Sequence, residues 1–249
     1  MIRSIASPNR RWSSTCAGAD NIAIAYGATV HKAVTGFGTD TIHASDAGSI
    51  IESGAGADTI HGGAGDDRVS GGEGLDTLVL TGQAAQYKLS AAAEGWVMEG
   101  FGRDLLDGVE RIRFSDSTMA LDIDGVAGQV YRLYQAAFDR TPDHGGLGYW
   151  IDAGDRGLSL ATVAQGFIDS PEFASTYGAL DNAGYVARLY MNVLGRQPDA
   201  AGLAFHVHLL DRGDTSRNVT LLAFAESDEN QQALAGVIGN GFAYTPFGA

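Results

Sequence analysis

GGAGDDRVS at residues 62–70 and GGEGLDTLV at residues 71–79 are two consecutive copies of the nine-residue unit that decides the fold. The unit recurs from residue 35, giving five copies by residue 79. Its fourth position is glycine in four copies, its sixth is aspartate in four, and its eighth is always apolar. A fixed period of this length predicts stacked repeats. A weaker unit precedes them, where Gly18, Asp20 and Ile22 have the same relative spacing.

Each unit combines a short strand with a glycine-rich turn. Side chains alternate across a strand, so a strand of about three residues points its single apolar side chain inward. Glycine allows positive φ in the turn and brings backbone carbonyls close together. The aspartate adds a carboxylate, and hard cations such as Ca²⁺ bind both kinds of oxygen. The pattern predicts calcium sites between stacked turns, with a metal-free β-solenoid as the alternative.

The units resemble the RTX (repeats-in-toxin) nonapeptide G-G-x-G-x-D-x-U-x, a calcium-binding repeat. The resemblance covers residues 35–79 well and 15–34 poorly. It implies a right-handed parallel β-roll in which two units form one coil, so that residues 18 apart stack. Two good calcium sites are expected on a first row of turns, and at most one or two weaker ones on a second row, where Ser49 replaces an aspartate. The implied metal-site residues are Gly36, Gly38, Asp40, Gly54, Gly56, Asp58, Gly72, Gly74 and Asp76 in the first row, and Gly63, Gly65 and Asp67 in the second.

The negative charge of the repeats supports the prediction that they bind a cation. Residues 34–79 contain eight acidic residues and one basic residue, a net charge of −7. Without cations the segment should repel itself, so metal binding is expected to drive its folding. Asp66 and Glu73 are expected to be solvated charges. His43 and His61 should stack as a surface ladder, because two histidines alone make a poor metal site.

Composition excludes several classes of protein. The chain has 35 glycines but only five prolines and no Gly-X-Y period, which excludes collagen. Its net charge of −14 disfavours nucleic-acid binding, which needs a basic surface. A membrane span is not expected, because no 18 apolar residues run together. The single cysteine, Cys16, cannot form an internal disulfide.

The remaining sequence predicts an α+β multidomain protein. Residues 1–34 are expected to form degenerate coils of the β-roll. Residues 80–123 lose the nine-residue period, and alternating apolar residues between 87 and 98 predict a short antiparallel β cap. Helical spacing begins at residue 124, so residues 124–249 are predicted to form an all-α domain.

The predicted all-α domain contains an internal duplication. LYQAAFDRTPDHGGLGYW at 133–150 aligns with LYMNVLGRQPDAAGLAFH at 189–206. Two similar helical repeats follow, at about 124–180 and 181–235, each of about three helices. In the shared R-x-P-D-x-x-G-L segment, Asp143 and Asp199 are expected to cap helices, although a ligand site is the alternative. This half resembles the bacterial domain of unknown function 4214, a helical repeat often found beside RTX repeats in exported proteins.

No enzyme is expected. The sequence has no H-E-x-x-H, no G-x-S-x-G, no Walker loop and no complete G-x-G-x-x-G. The predicted function is that of a non-catalytic, calcium-binding protein of the cell exterior or cell surface, acting in adhesion, surface-layer or matrix attachment. Its expected partners are calcium ions and an extracellular glycan, a surface layer or another protein.

The RTX resemblance implies bacterial type I secretion, and no cleaved N-terminal signal is visible. The alternative is a secreted enzyme or ligand-binding protein with its site in the helical domain. A crevice between the two copies, lined by Asp143, Asp199, Tyr149 and Trp150, would favour that alternative. A packed apolar junction would disfavour it.

Overall fold

The chain consists of a strand-rich unit and a helical unit. In this computed structural model, residues 2–5, 18–19, 21–24 and 31–248 are described. The strand-rich unit extends to Asp122 and includes Asn240–Ala243, and the helical unit comprises Ile123–Gly239 and the residues from Tyr244. The α+β class is therefore consistent with the structure. Cys16 and Asp20 lie outside the described residues, as does much of the segment expected to form degenerate coils.

Short strands dominate the first unit. In chain order the described strands are β1 (Ile2–Ile5), β2 (Asn21–Ile24), β3 (His31–Phe37), β4 (Thr41–His43), β5 (Ser49–Ala55), β6 (Thr59–His61), β7 (Arg68–Glu73), β8 (Thr77–Val79), β9 (Lys88–Ala91), β10 (Trp96–Glu99), β11 (Arg103–Asp107), β12 (Arg111–Arg113), β13 (Thr118–Ala120) and β14 (Phe242–Tyr244).

Strands β3 to β8 alternate between two sheets. One sheet has the order β1-β2-β4-β6-β8-β12-β13-β14 and the other β3-β5-β7-β11-β10-β9. Neighbours from consecutive coils pair in parallel at an interval of 18 residues: Thr41 aligns with Thr59, and Thr59 with Thr77. The eighth residue of every unit is at most 1% exposed and belongs to one apolar cluster: Ile42, Ile51, Ile60, Val69 and Leu78. Burial of this column explains why the position is always apolar.

The segment after the repeats contains the predicted antiparallel pair and also extends both sheets. Strands β9 and β10 form a hairpin. Beyond it, β11 pairs in parallel with β7, placing Leu106 beside Val69. Strand β12 pairs in parallel with β8, placing Ile112 beside Leu78. The coil geometry therefore resumes after an inserted segment, which the nine-residue period in the sequence does not reveal.

The helical unit has four helices in each half, where about three were predicted. The described helices are α1 (Val126–Phe138), α2 (His144–Asp155), α3 (Leu160–Ile168), α4 (Pro171–Tyr177), α5 (Asn182–Leu194), α6 (Ala200–Arg212), α7 (Arg217–Ala225) and α8 (Asp228–Ile238). The last helices of the two halves are α4 and α8. They are separate because Ser170 and Ser227 cap them, accepting hydrogen bonds from the backbone N–H groups of Phe173 and Asn230.

Both halves of the helical unit share one apolar core. Leu133 and Phe167 from the first half cluster with Leu189 and Phe224 from the second, each at most 4% exposed. Because this core is continuous, the halves pack as one body rather than enclosing a crevice.

Candidate metal centre

The first row of predicted aspartates lies at the ends of the turns that precede β4, β6 and β8. The N–H of Asp40 donates to Oδ1 of Asp58 at 2.8 Å, and the N–H of Asp58 donates to Oδ1 of Asp76 at 2.9 Å. In return, the carbonyls of Asp40 and Asp58 accept from the N–H groups of Thr59 and Thr77, each at 2.8 Å. All three aspartates are at most 1% exposed. The fold therefore stacks them in one buried column.

On the second row, Asp67 is 4% exposed and its Oδ2 accepts from the N–H of Gly63 at 3.4 Å. Ser49 holds the corresponding position one coil earlier, and its hydroxyl accepts from the N–H of Ser45 at 3.0 Å. Serine thus satisfies a backbone donor but supplies no carboxylate charge. The second row therefore has less negative charge at that coil.

The predicted glycines line the same turns. Along the sheet of β3, β5 and β7, the register aligns Gly36 with Gly54 and Gly54 with Gly72. In the second row, a Cβ on Gly63 would lie 2.4 Å from the carbonyl oxygen of Ser45, and one on Gly65 would lie 2.1 Å from the nitrogen of Gly48. Successive turns approach so closely that no side chain fits between them.

Gly38, Gly56 and Gly74 form a column in the first row. Gly56 has φ of +143° and Gly74 has φ of +131°, which disfavour residues with a side chain. A Cβ on Gly56 would lie 1.9 Å from the carbonyl oxygen of Gly38, and one on Gly74 would lie 1.8 Å from that of Gly56. Glycine at the fourth position is therefore a steric requirement, because the carbonyl of the preceding coil occupies the space that a side chain would need.

Three carboxylate oxygens in these turns are buried without a hydrogen-bond partner. They are Oδ2 of Asp58, Oδ1 of Asp67 and Oδ2 of Asp76. Among the described residues, no arginine or lysine forms an ion pair with any of the three. Buried charges are normally paired or bound to a metal. Their oxygens are therefore available to a cation.

Burial also makes these carboxylates harder to ionise. Desolvation, with repulsion from Asp58 and Glu110, raises the pKa of Asp76 to about 7. Desolvation and the charge of Asp104 raise the pKa of Asp67 to about 6. Desolvation, followed by the charge of Asp40, also raises the pKa of Asp58. A bound cation would favour the ionised forms of all three.

Two acidic residues beyond the repeats join these rows and do not emerge from the nine-residue period. Oδ1 of Asp104 accepts from the N–H of Asp67 at 2.9 Å. Oε2 of Glu110 accepts from the N–H of Asp76 at 2.7 Å. A signal for the first exists in EGFGRDLLD at residues 99–107, where Gly102, Asp104 and Leu106 hold the fourth, sixth and eighth positions of the unit. Its phase is shifted by the inserted hairpin.

The donor set determines which metals fit. Over the described residues, no three His, Cys, Asp or Glu side chains form a group able to hold a metal. A cation would therefore need backbone carbonyls in addition to one or two carboxylates. This all-oxygen set suits a hard cation such as Ca²⁺, and the unpartnered oxygens with the glycine cradle show that the residues fit it.

The two repeat histidines form a different arrangement. His43 and His61 stack with ring centroids 4.2 Å apart and planes 9° from parallel. Burial, followed by the neighbouring His43, lowers the pKa of His61. Parallel rings do not converge on one point, which agrees with the predicted ladder.

In the helical unit, the proposed ligand residues are engaged in local structure. Asp143 and Asp199 cap α2 and α6 by accepting from the N–H groups of Gly146 and Gly202 at 2.7 and 2.8 Å. Trp150 packs against the buried Phe167 with ring centroids 5.0 Å apart. Among the described residues of the helical unit, the two halves thus meet in a packed apolar junction, which disfavours the alternative function.

The arginines of the shared segment also form equivalent contacts. Arg140 pairs with Glu172 at 2.7 Å, and Arg196 pairs with Glu229 at 2.8 Å. Each guanidinium also lies over a tyrosine ring, with its central carbon 5.1 Å from the centroid. Each shared R-x-P-D segment thus holds its half together through one ion pair and one helix cap.

Comparison with protein families agrees with both halves of the sequence interpretation. Residues 34–68 and 45–78 match the RTX calcium-binding nonapeptide repeat (4 copies). Residues 127–173 and 164–234 match the domain of unknown function DUF4214. Both resemblances are thereby confirmed. No curated protein matches the chain. Among the helices that the structure describes, none is long and apolar enough to cross a membrane.

Proposed function

We propose that the strand-rich unit is a right-handed calcium β-roll in which Asp40, Asp58, Asp67 and Asp76, with the carbonyls of the turn glycines, bind Ca²⁺. The observation that carries the proposal is the set of buried carboxylate oxygens without hydrogen-bond partners, repeated at the interval of one coil. The match of residues 34–78 to a calcium-binding repeat supports it independently.

Calcium binding and folding are coupled in this proposal. Residues 34–79 carry a net charge of −7, and the column of Asp40, Asp58 and Asp76 stacks three acidic side chains with little exposure to water. Bound calcium supplies the positive charge that this column lacks. Without it, burial of ionised carboxylates is costly, and the repeats should be largely unfolded near neutral pH.

A far-UV circular dichroism titration tests the proposal on the full chain. Calcium at about 10⁻⁴–10⁻³ M should increase the β signal, and EDTA should reverse it. Magnesium at the same concentration serves as a control for screening, because Mg²⁺ demands a stricter octahedral geometry. An identical spectrum in calcium and in EDTA would overturn the proposal.

Two matched variants locate the effect. Asp58→Asn removes a buried carboxylate that accepts from the N–H of Asp40 and has one oxygen without a partner, whereas Glu73→Gln removes an exposed charge on β7. The first variant should require far more calcium to fold, and the second should behave like the unaltered protein. Equal effects would indicate that only total charge matters.

For the whole protein, we propose a non-catalytic role in adhesion or in surface-layer or matrix attachment, after bacterial type I secretion to the cell exterior. RTX repeat proteins are typically secreted or surface-associated, which supports this location. A calcium-dependent fold also suits it, because millimolar-range affinities are typical of extracellular calcium modules. Expression of the full chain with and without a type I exporter, followed by assay of the medium, tests the route. Equal release in both cases would contradict it.

Ligand binding by the helical unit is a second candidate. A surface pocket of about 440 Å³ is lined by Tyr149, Asp152, Arg156, Leu158 and Phe247, together with Ala153 and Gly157. Tyr149 and Phe247 are 45% and 55% exposed, and their rings meet edge to face at 5.1 Å. Exposed aromatic faces beside an Asp–Arg pair suit the apolar face and hydroxyl groups of a sugar.

A glycan array with the full chain tests this candidate. Binding that Tyr149→Ala abolishes and Phe37→Ala retains would support it, since Phe37 is an exposed aromatic outside the pocket. Absence of any glycan signal, or equal loss in both variants, would reject the pocket as a sugar site.

A further inference from the structure

Every pair of stacked aspartates in the first row is joined by the same two hydrogen bonds, one from a backbone N–H to a carboxylate and one from a backbone N–H to a carbonyl. In the Asp58/Asp76 pair, the N–H of Asp58 donates to the carboxylate of Asp76, and the N–H of Thr77 donates to the carbonyl of Asp58. The Asp40/Asp58 pair repeats both bonds at the same spacing. This two-bond pattern identifies the acidic position of one coil stacked on that of the next.

The same pattern occurs twice with acidic residues outside residues 34–78. The N–H of Asp67 donates to Asp104, and the N–H of Leu105 donates to the carbonyl of Asp67, at 2.9 and 2.8 Å. The N–H of Asp76 donates to Glu110, and the N–H of Arg111 donates to the carbonyl of Asp76, at 2.7 and 3.0 Å. Asp104 and Glu110 therefore hold the acidic positions of one further coil.

Both positions also have the features of the inner sites. Oδ1 of Asp67 and Oδ2 of Asp76 are buried without a hydrogen-bond partner, in residues 4% and 0% exposed. At the Asp67/Asp104 turn, a Cβ on Gly102 would lie 2.5 Å from the carbonyl oxygen of Gly65, so the close approach of glycine turns is repeated there. Asp104 is itself 8% exposed. Thus each site has a second, independent feature beyond the acidic pair.

The second row has one more acidic contact with this coil. Asp66 accepts from the N–H of Arg103 at 2.8 Å, directly beside the Asp67/Asp104 pair. Asp66 is exposed, as expected of a solvated charge, and its carboxylate also contacts the next coil. Asp66 and Asp104 therefore each accept a backbone N–H across this turn, from Arg103 and from Asp67 respectively.

We propose that Asp104 and Glu110 complete two divalent-cation sites, one with Asp67 and one with Asp76. The inference rests on the proposed function, because Ca²⁺ is the cation that this all-oxygen donor set suits. Calcium bound there joins the last repeat to the chain beyond the inserted hairpin of β9 and β10. The order of residues 103–113 then depends on calcium, although these residues lie outside the matched repeats.

Isothermal titration of the full chain with calcium chloride tests the inference. Asp104→Asn and Glu110→Gln should each remove one binding site or weaken it by at least tenfold. Asp107→Asn is the matched control, because Asp107 lies on the same strand as Asp104 but is exposed. It should leave the titration unchanged. Unaltered stoichiometry and affinity in both of the first two variants would overturn the inference.

Two further readouts distinguish failure of this inference from failure of the proposed function and from a purely structural role of Asp104. If the unaltered chain binds no calcium, the proposed function fails; if it binds calcium and the two variants bind equally well, only this inference fails. Asp104→Glu keeps a carboxylate and should recover part of the lost binding. If Asp104→Asn and Asp104→Glu both lose hydrogen-exchange protection throughout residues 41–61 at saturating calcium, Asp104 has a structural role and the inference is rejected.

Discussion

Replacing Gly74 by alanine should open the repeat segment without removing any carboxylate. Gly74 has φ of +131°, and a Cβ there would lie 1.8 Å from the carbonyl oxygen of Gly56. Carbon atoms in ordinary contact sit about 3.5–4.0 Å from their neighbours, so the two coils must separate by an ångström or more. The substitution therefore tests whether close approach of the glycine turns holds the coils together.

The magnitude follows from two separate penalties. A residue with a side chain in this φ region costs about 1–3 kcal/mol. Overpacking against a backbone carbonyl that cannot rotate away costs about 1–3 kcal/mol more. The sum is about 2–6 kcal/mol, and its lower end corresponds to roughly 30-fold faster hydrogen exchange through local opening. We expect this acceleration in peptides covering residues 53–79, measured by mass spectrometry at saturating calcium.

Alanine substitutions at two other glycines distinguish the backbone-strain penalty from the overpacking penalty. Gly157 has φ of +93° but no atom within 4 Å of the position of its Cβ, so Gly157→Ala carries the backbone strain alone. Gly236, within α8, has neither problem, and alanine should stabilise it by up to about 1 kcal/mol. The destabilisation should decrease in the order Gly74, Gly157, Gly236. The reasoning is refuted if Gly74→Ala is no more disruptive than Gly157→Ala.

Three further predictions concern pH, the helical unit and its ion pairs. Because calcium needs ionised ligands and burial raises the pKa of Asp76 to about 7, the calcium affinity measured by titration should fall from pH 8 to pH 5. In EDTA the dependence is reversed, because a carboxyl group whose pKa is raised in the folded state makes the folded repeats more stable at pH 5 than at neutral pH. This stability is lost as pH rises through about 7. A calcium affinity that does not change between pH 8 and pH 5 would contradict this prediction. A fragment of residues 123–249 should retain its helical circular dichroism in EDTA, whereas calcium-dependent helicity would contradict independent folding. Arg132→Gln should cost about 3–5 kcal/mol in chemical unfolding, because this 4%-exposed guanidinium pairs with Glu226, whereas Glu172→Gln should cost less than about 1 kcal/mol at its exposed pair; equal losses would contradict the ranking.

The repeat core and its acidic row were predictable from sequence because each coil repeats the same local rule. One apolar residue in nine predicted the buried column of Ile42, Ile60 and Leu78, and the aspartate two residues earlier predicted the row beside it. In such a fold, sequence spacing converts directly into spatial stacking. The resemblance to RTX repeats supplied the 18-residue interval at which the strands pair.

Asp104 and Glu110 lie outside the phase of the nine-residue period. Their strands join the sheets beside β7 and β8, but the hairpin of β9 and β10 is inserted before them. A period counts residues along the chain, whereas strand pairing depends only on which backbone groups meet. Glu110 follows Asp104 by six residues rather than nine, so even a restarted period would miss it.

The helical half shows a similar limit. The duplicated segment predicted the paired caps Asp143 and Asp199, which the structure contains. The predicted count of about three helices per copy was one too few, because a seven-residue helix such as α4 is too short for a helical period to emerge. Phe173 and Tyr177 of this short helix pack in the shared core.

Calcium counting by equilibrium dialysis tests the central claim most directly. At about 1 mM free calcium, near the affinity typical of extracellular modules, the full chain should retain two or more ions above the buffer level. Asp58→Asn should retain fewer, because it removes a buried carboxylate with an unpartnered oxygen, and Glu73→Gln should match the unaltered chain. An unaltered chain that binds no calcium, or one whose bound calcium is unaffected by Asp58→Asn, would contradict the account.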